Sequence, residues 1–181
     1  NPGITNLVYT WTSASPGSGL PTNATGREID VIPNPTFGNP ATPVTITYDL
    51  RITYTLDGVN YTETAKANLQ VKPIPALTIT SPNAVICSGE NAVLNVKSTV
   101  AGTRFTWTVG SPSAGATPGN QTMGANSVDG QVSQVLTNTT TAPIVVRYTF
   151  TPDVNDCTGT PVTFDVTVNP FPTAEISTPK T

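Results

Sequence analysis

The chain has 181 residues, of which 10% are charged and 36% hydrophobic, with 14 glycines and 18 prolines. Richness in turn formers and in β-branched Thr and Val favours short strands over helices, and two small modules over one large domain. A net charge of −3, scattered basic residues and the lack of an 18-residue apolar run argue against nucleic-acid binding and against a membrane span.

Short landmarks recur in the same order about 96 residues apart, which indicates an internal repeat. Tyr9-Thr10-Trp11-Thr12 recurs as Phe105-Thr106-Trp107-Thr108 at an offset of 96. Three more pairs follow at offsets of 94 to 104: 26–34 with 130–138, 52–56 with 146–150, and 71–75 with 168–172. The repeat predicts a module at 1–75 that lacks its first strands, a complete module at 76–172, and the start of a further module or a linker at 173–181.

Alternating apolar and polar residues predict the strands. In residues 44–56 every even position is apolar and every odd position is polar, as in a strand with one buried face. Asp57-Gly58 then predicts a hairpin turn. Further strands are predicted at 65–71, 77–80, 92–96 and 162–168. Short strands separated by Gly, Pro and Asn turns predict an all-β fold of tandem immunoglobulin-like antiparallel β-sandwiches.

Four aromatic residues are the candidate core anchors. Trp11 and Trp107 each follow another aromatic residue by two positions, so both members of each pair face the same side of a strand. Tyr54 and Tyr148 occupy matching positions of the repeat. We predict that all four are core residues, because a Trp on the third strand fills the core of such sandwiches. The alternative, stacking on a sugar, would require exposed rings.

Cys87 and Cys157 are the only cysteines. In an extracellular protein an even count suggests a disulfide, and closing a loop of about 70 residues would stabilise the fold by about 4 kcal/mol. The alternative is two free buried thiols. The bridge requires that Cys87 lie on a strand running toward the hairpin that holds Cys157. At an offset of 97, Asn60 replaces Cys157 in the first module.

The sequence offers little for catalysis or metal binding. It contains no histidine, which excludes Ser-His-Asp and Cys-His arrangements and histidine-based metal sites. Glu28 and Asp30 share a predicted strand face, but a solvated face explains them better than paired catalytic carboxylates. Asp153, Asn155 and Asp156 are weak candidates for calcium, since they are also ordinary turn residues. We therefore predict no enzyme activity and no cofactor.

Four asparagines begin an Asn-X-Thr pattern, the acceptor for N-glycosylation: Asn23, Asn60, Asn120 and Asn138. A chain so rich in Asn and Thr contains this pattern by chance. The pattern therefore carries little information about function.

Several segments of the second module resemble a known family. They are Ile86-Cys87-Ser88-Gly89-Glu90, Phe105-Thr106-Trp107-Thr108, Gln134-Val135-Leu136-Thr137-Asn138, Tyr148-Thr149-Phe150-Thr151-Pro152, Asp156-Cys157-Thr158-Gly159 and Val166-Thr167-Val168-Asn169-Pro170. Together they resemble the tandem PKD-like repeats of very large Bacteroidetes surface proteins. The resemblance covers 76–172 well and 4–75 loosely. It implies an extracellular adhesin of the cell surface, exported by type IX secretion and of the gliding-motility-associated type.

The resemblance and the repeat together predict a structural spacer in a long adhesin or filament. Its partners would be neighbouring repeats of the same chain and the secretion machinery. One alternative is a binding module that recognises a glycan or a surface protein through the variable loops 13–26 and 109–130. Another is an accessory domain of a secreted hydrolase.

Overall fold

The computed structural model describes residues 3–15, 18, 20, 24–28 and 42–172. The chain divides into two compact units, Asn1–Pro73 and Ile74–Thr181, called here the first and the second unit. Every regular element in the described residues is a β-strand, and no helix there is long and apolar enough to cross a membrane. The predicted all-β class is confirmed. Most of the landmark at 26–34 and the predicted segment 173–181 lie outside the described residues.

The first unit contains one antiparallel sheet of three strands, in the order β1-β2-β3. The strands are β1 (Ile4–Thr12), β2 (Val44–Leu56) and β3 (Val59–Val71). The predicted turn joins β2 to β3, with positive φ at both Asp57 and Gly58, as expected for a two-residue hairpin loop that follows the twist of its strands. Even-numbered residues of β2 and odd-numbered residues of β3 form the apolar face.

The second unit contains two sheets. Its strands are β4 (Leu77–Thr80), β5 (Val85–Cys87), β6 (Asn91–Ser98), β7 (Arg104–Val109), β8 (Gly119–Thr122), β9 (Asp129–Val135), β10 (Ile144–Val154), β11 (Cys157–Thr158) and β12 (Val162–Asn169). One sheet has the order β5-β12-β10-β7-β8 with β11 beside β10, and the other has the order β4-β6-β9. All pairings are antiparallel except that of β5 with β12. The unit is an immunoglobulin-like sandwich.

The core of the second unit lies between its two sheets. Strands β6 and β9 contribute Leu94 and Val132, and the facing sheet contributes the rings of Phe105, Tyr148 and Phe150. The Phe105 and Phe150 ring centroids are 6.0 Å apart, within the range of favourable aromatic pairs. Burying each such side chain stabilises the fold by about 1.5–3 kcal/mol. The Tyr148 hydroxyl donates to Gln134 Oε1 (3.1 Å), and burial raises the pKa of Tyr148 to about 12.

Strand pairing corrects the repeat in one place. Trp11 lies opposite Leu50 in the first unit, and Trp107 lies opposite Phe150 in the second. Leu50 and not Leu56 is therefore the counterpart of Phe150, and Tyr48 is the counterpart of Tyr148. The predicted match of 52–56 with 146–150 is wrong by six residues. An even shift preserves the alternation of period 2, so the sequence pattern could not detect it.

Candidate functional site

The chain enters and leaves the second unit at opposite ends. At the leading end, Gly159 lies against the carbonyl oxygen of Pro75, and a Cβ on Gly159 would overlap that oxygen. At the trailing end, β12 finishes at Asn169 beside Cys87. The eight residues of β12 join the two ends, and a strand of this length spans about 23 Å. Tension applied along the chain therefore acts along β12.

The trailing end is held by the parallel pair of β5 and β12. Ile86 lies opposite Val168, and its side chain is buried in the core. The amide of Thr167 donates to the carbonyl of Ala84 (2.8 Å), and the amide of Ser88 donates to the carbonyl of Asn169 (2.9 Å). Because the strands are parallel, the chain enters β5 from the direction of the leading end and leaves β12 at the trailing end. Pulling on both ends would slide the two strands past each other.

Asn138 ties this end of the unit together. Its side chain is 2% exposed, and Nδ2 donates to the carbonyls of Ala142 (2.8 Å) and Val168 (2.8 Å). Oδ1 accepts from the amide (2.9 Å) and the hydroxyl (2.7 Å) of Thr140. The backbone amide of Asn138 donates to Ser88 Oγ (2.9 Å). All four side-chain hydrogen-bonding positions are occupied, so this asparagine is a structural residue, and its Nδ2 is inaccessible as a glycan acceptor in the folded unit.

The predicted disulfide between Cys87 and Cys157 is not formed, since both thiols are free. Cys87 lies opposite Asn169, where β12 ends, whereas Cys157 lies opposite Val154 in the hairpin that precedes β12. The length of β12, about 23 Å, therefore separates them, and a disulfide requires Cα atoms within about 7 Å. The prediction needed β5 to run toward that hairpin. It runs parallel to β12, away from it.

Part of the chain matches a known protein family. The family described as PKD-like domain matches residues 84–172. Residues 84–172 are a PKD-like domain. The match begins just before β5 and ends just after β12, so it contains the parallel strand pair and the Asn138 cluster. No curated protein matches the chain. PKD-like domains are immunoglobulin-like modules of structural or binding roles, often extracellular and typically without catalysis.

The predicted aromatic anchors occupy three kinds of position. In the PKD-like domain Tyr148 is fully buried, and Trp107 is half-buried against the core while its Nε1 donates to the carbonyl of Thr117 (2.9 Å). In the first unit Trp11 is half-buried and donates to the carbonyl of Gly26 (3.0 Å). Tyr54 is also half-buried and stacks on Tyr61, with ring centroids 5.3 Å apart. The first-unit tyrosine that is buried is Tyr48.

The three calcium candidates lie around the hairpin between β10 and β11. Asn155 and Asp156 both have positive φ and form its two-residue turn, which Asn and Asp tolerate better than most residues. The Asp153 carboxylate lies 4.0 Å from the Arg104 guanidinium. No group of three His, Cys, Asp or Glu residues suited to a metal occurs among the described residues. The hairpin geometry therefore accounts for these residue types.

The segment 109–130, predicted as a variable loop, is largely built into the PKD-like domain. It contains the edge strand β8 and the buried side chains of Ala116 and Met123. The carbonyl of Thr117 accepts hydrogen bonds from Trp107 Nε1 and from Gln134 Nε2 (2.9 Å). Loop 13–26 lies partly outside the described residues. Within it the Ser18 carbonyl accepts from the Tyr48 hydroxyl (2.5 Å).

Sequence reasoning missed the elements that hold the trailing end. Strand β5 has only three residues, too few to show a period, although the apolar Val85-Ile86-Cys87 after Pro82 was a usable signal. In the sequence, Asn138 is marked only by a glycosylation pattern. Its burial depends on Ser88 and Val168, which are 50 and 30 residues away in the chain. No local pattern carries that information.

Proposed function

We propose that the chain is a tension-bearing spacer from a long, secreted, cell-surface protein of adhesin type, in which successive modules hold a distant domain away from the cell. The observation that carries this proposal is the geometry of the PKD-like domain. Its chain enters and leaves at opposite ends, and the parallel pair of β5 and β12 lies on the path between them.

Tension on this path loads the β5 and β12 hydrogen bonds in shear. The donors at Thr167 and Ser88 and their carbonyl acceptors would have to separate together, because the strands slide along their length. Each backbone hydrogen bond contributes only about 0.5–1.5 kcal/mol net, so resistance depends on breaking several at once. In a pair pulled open from one end, the bonds break one after another. Shear loading is the arrangement that suits a spacer.

The exposed surface and the proline-containing segments on either side of the second unit support the same proposal. Exposed strand positions carry many Thr, Asn and Ser residues, such as Thr78, Asn95 and Ser133, and only 10% of residues are charged. Pro73 and Pro75 precede β4, and Pro170 and Pro172 follow β12, so short stiff segments adjoin the domain on both sides. An extracellular location is supported by the PKD-like match, since such domains are often extracellular.

The test compares two directions of pull on the same folded protein in a single-molecule experiment, with Cys157→Ser leaving Cys87 as the only thiol. In one geometry the handles are at the two chain ends, which shears β5 against β12. In the other they are at Cys87 and the carboxyl terminus, so the force enters the unit at the neighbouring residues Cys87 and Asn169 and peels the strands apart. We expect a clearly higher unfolding force in the first geometry.

The unfolding event of the PKD-like domain is recognised by its length. At about 3.6 Å per residue, residues 77–169 extend to about 33 nm in the first geometry, and residues 87–169 extend to about 30 nm in the second. Equal forces in the two geometries would contradict the tension-bearing role. Specific glycan binding on an array, lost on substitution within 109–130 but not within β12, would instead support the binding-module alternative.

A further inference from the structure

Residues 74–76, called here the entry arm, lead into β4 at the leading end of the second unit. Pro75 is buried, whereas Ile74 and Ala76 on either side of it are exposed, and the buried Leu77 follows as the first residue of β4. Alternate burial of successive residues is the pattern of an extended chain with one face against a core. The entry arm is therefore a continuation of β4 within the fold.

Thr99 holds the entry arm from one of the two sheets. The amide of Thr99 donates to the carbonyl of Ala76 (3.0 Å), and the amide of Ala76 donates to Thr99 Oγ1 (3.1 Å). Thr99 directly follows β6, the central strand of the β4-β6-β9 sheet. Both backbone hydrogen-bonding groups of Ala76 are therefore bound to a residue that this sheet positions.

Gly159 holds the entry arm from the other sheet. It directly follows β11, and its amide donates to the carbonyl of Pro152 on β10 (2.9 Å). The carbonyl oxygen of Pro75 lies against Gly159, so a Cβ at this position would overlap that oxygen and would lie 2.9 Å from Cγ of Pro152. Two backbone segments approach closely here, which requires a residue without a side chain.

Strand β4 is the weak element next to the entry arm. It has four residues, lies at the edge of its sheet and pairs there only with β6. An antiparallel pair of this length has few backbone hydrogen bonds. Tension that entered the unit directly at Leu77 would load these few bonds first and would detach β4 from β6.

We propose that the entry arm is a tension clamp, which Thr99 and Gly159 hold between the two sheets so that load applied at the leading end does not detach β4. Pulling on Pro75 then loads β6 through Thr99 and β10 through Gly159 at the same time. The proposal rests on the tension-bearing role of the second unit and adds the place where tension enters it.

The test repeats both pulling geometries on the full chain with Cys157→Ser, with and without Gly159→Ala. With handles at the two chain ends, load passes through the entry arm. We expect Gly159→Ala to add an early event before the main unfolding event in most traces. It releases residues 76–84, which extend to about 3 nm at about 3.6 Å per residue. With handles at Cys87 and the carboxyl terminus, the entry arm is outside the load path, so the unfolding force should not change.

Matched variants separate the clamp from a general loss of stability. Gly124→Ala adds the same methyl group where the nearest atom is 3.5 Å away, and it should change neither geometry. Thr99→Val removes the oxygen that accepts from Ala76 while nearly keeping the side-chain volume, and it should add the same early event. Thr78→Val, at an exposed threonine of β4, should add none. Thr99→Val carries the test by itself if Gly159→Ala does not fold.

Two results would overturn the clamp. One is the lack of an early event in Gly159→Ala and in Thr99→Val when the chain is pulled from its two ends. The other is an equal drop in unfolding force in both geometries, which would show that the substitutions destabilise the unit as a whole. Equal forces for the parent protein in the two geometries would instead contradict the tension-bearing role, so the two proposals fail separately.

Discussion

The two units share strand patterns but differ in how their central sheet is covered. Strand β2 and strand β10 each lie between two antiparallel neighbours, and each places a tyrosine, Tyr48 or Tyr148, at the same point of the repeat. In the second unit three further strands close the apolar face. In the first unit the described residues leave much of it exposed. Both central strands therefore have hydrogen-bonded neighbours on each side, whereas the packing over their apolar faces differs.

The largest expected difference comes from one core truncation made in both units. Phe150→Ala should destabilise the second unit by about 4 kcal/mol, because it leaves a cavity between the sheets. Leu50→Ala, at the matching half-buried position, should cost about 1 kcal/mol or less in the first unit. Urea unfolding followed by Trp fluorescence measures both, with Trp11→Phe or Trp107→Phe leaving one reporter in the unit under study. Equal losses would contradict the open face.

Substitution of Asn138, the buried asparagine at the trailing end, should cause the next largest loss of stability. Asn138→Ala removes two N–H donors and an oxygen that accepts two hydrogen bonds, and it leaves the Val168 and Ala142 carbonyls without their donor. We expect a loss of about 2–3 kcal/mol in the second unit. Asn120→Ala, an exposed asparagine of the same Asn-X-Thr pattern, is the control and should change stability little. The same urea titration measures the free energy of unfolding of both variants. Similar losses for Asn138→Ala and Asn120→Ala would show that the Asn138 cluster is not structural.

A smaller loss of stability is expected where Trp107 packs closely against β8. A Cβ on Gly119 would lie 2.6 Å from Cζ2 of the indole, so Gly119→Ala must displace the ring or the strand. We expect a loss of about 1–3 kcal/mol. Gly124→Ala in the same segment meets no contact closer than 3.5 Å and serves as the control. If Gly119→Ala were neutral in thermal unfolding, the indole would not be held against β8.

The smallest effect belongs to an exposed ion pair on the outer face of the second unit. Arg147 Nε and Nη2 donate to the two Asp165 oxygens (2.8 and 2.7 Å), and this hydrogen bonding lowers the pKa of Asp165. A lowered folded-state pKa stabilises the fold above the unfolded pKa, and that stability is lost as pH falls through the folded value. Asp165→Asn should therefore slightly lower stability at neutral pH and leave it unchanged in acid.

Salt provides the control for this pair. Because both side chains are largely exposed, added salt should shrink the difference between wild type and Asp165→Asn. Thermal unfolding at several pH values measures it. A difference that persists in strong acid would show that the substitution acts through packing.

Period and turn chemistry made the strands predictable, including β2, β4, β6 and the Asp57-Gly58 hairpin. Register was not predictable, since a six-residue shift keeps Tyr54 and Tyr48 in the same alternation. The disulfide prediction failed for a topological reason, because no local pattern states that β5 pairs in parallel with β12. The Asn138 cluster joins residues far apart in sequence, so it becomes visible only when the trailing end is assembled.

Hydrogen exchange of the intact chain tests the contrast between the units most directly. Amides of Ile46, Tyr48 and Leu50 on β2 are compared with those of Val146, Tyr148 and Phe150 on β10, the central strands of the two sheets. The closed sandwich predicts that the second set exchanges only through global unfolding and at least about tenfold more slowly than the first. Equal protection of the two sets would contradict the open face of the first unit.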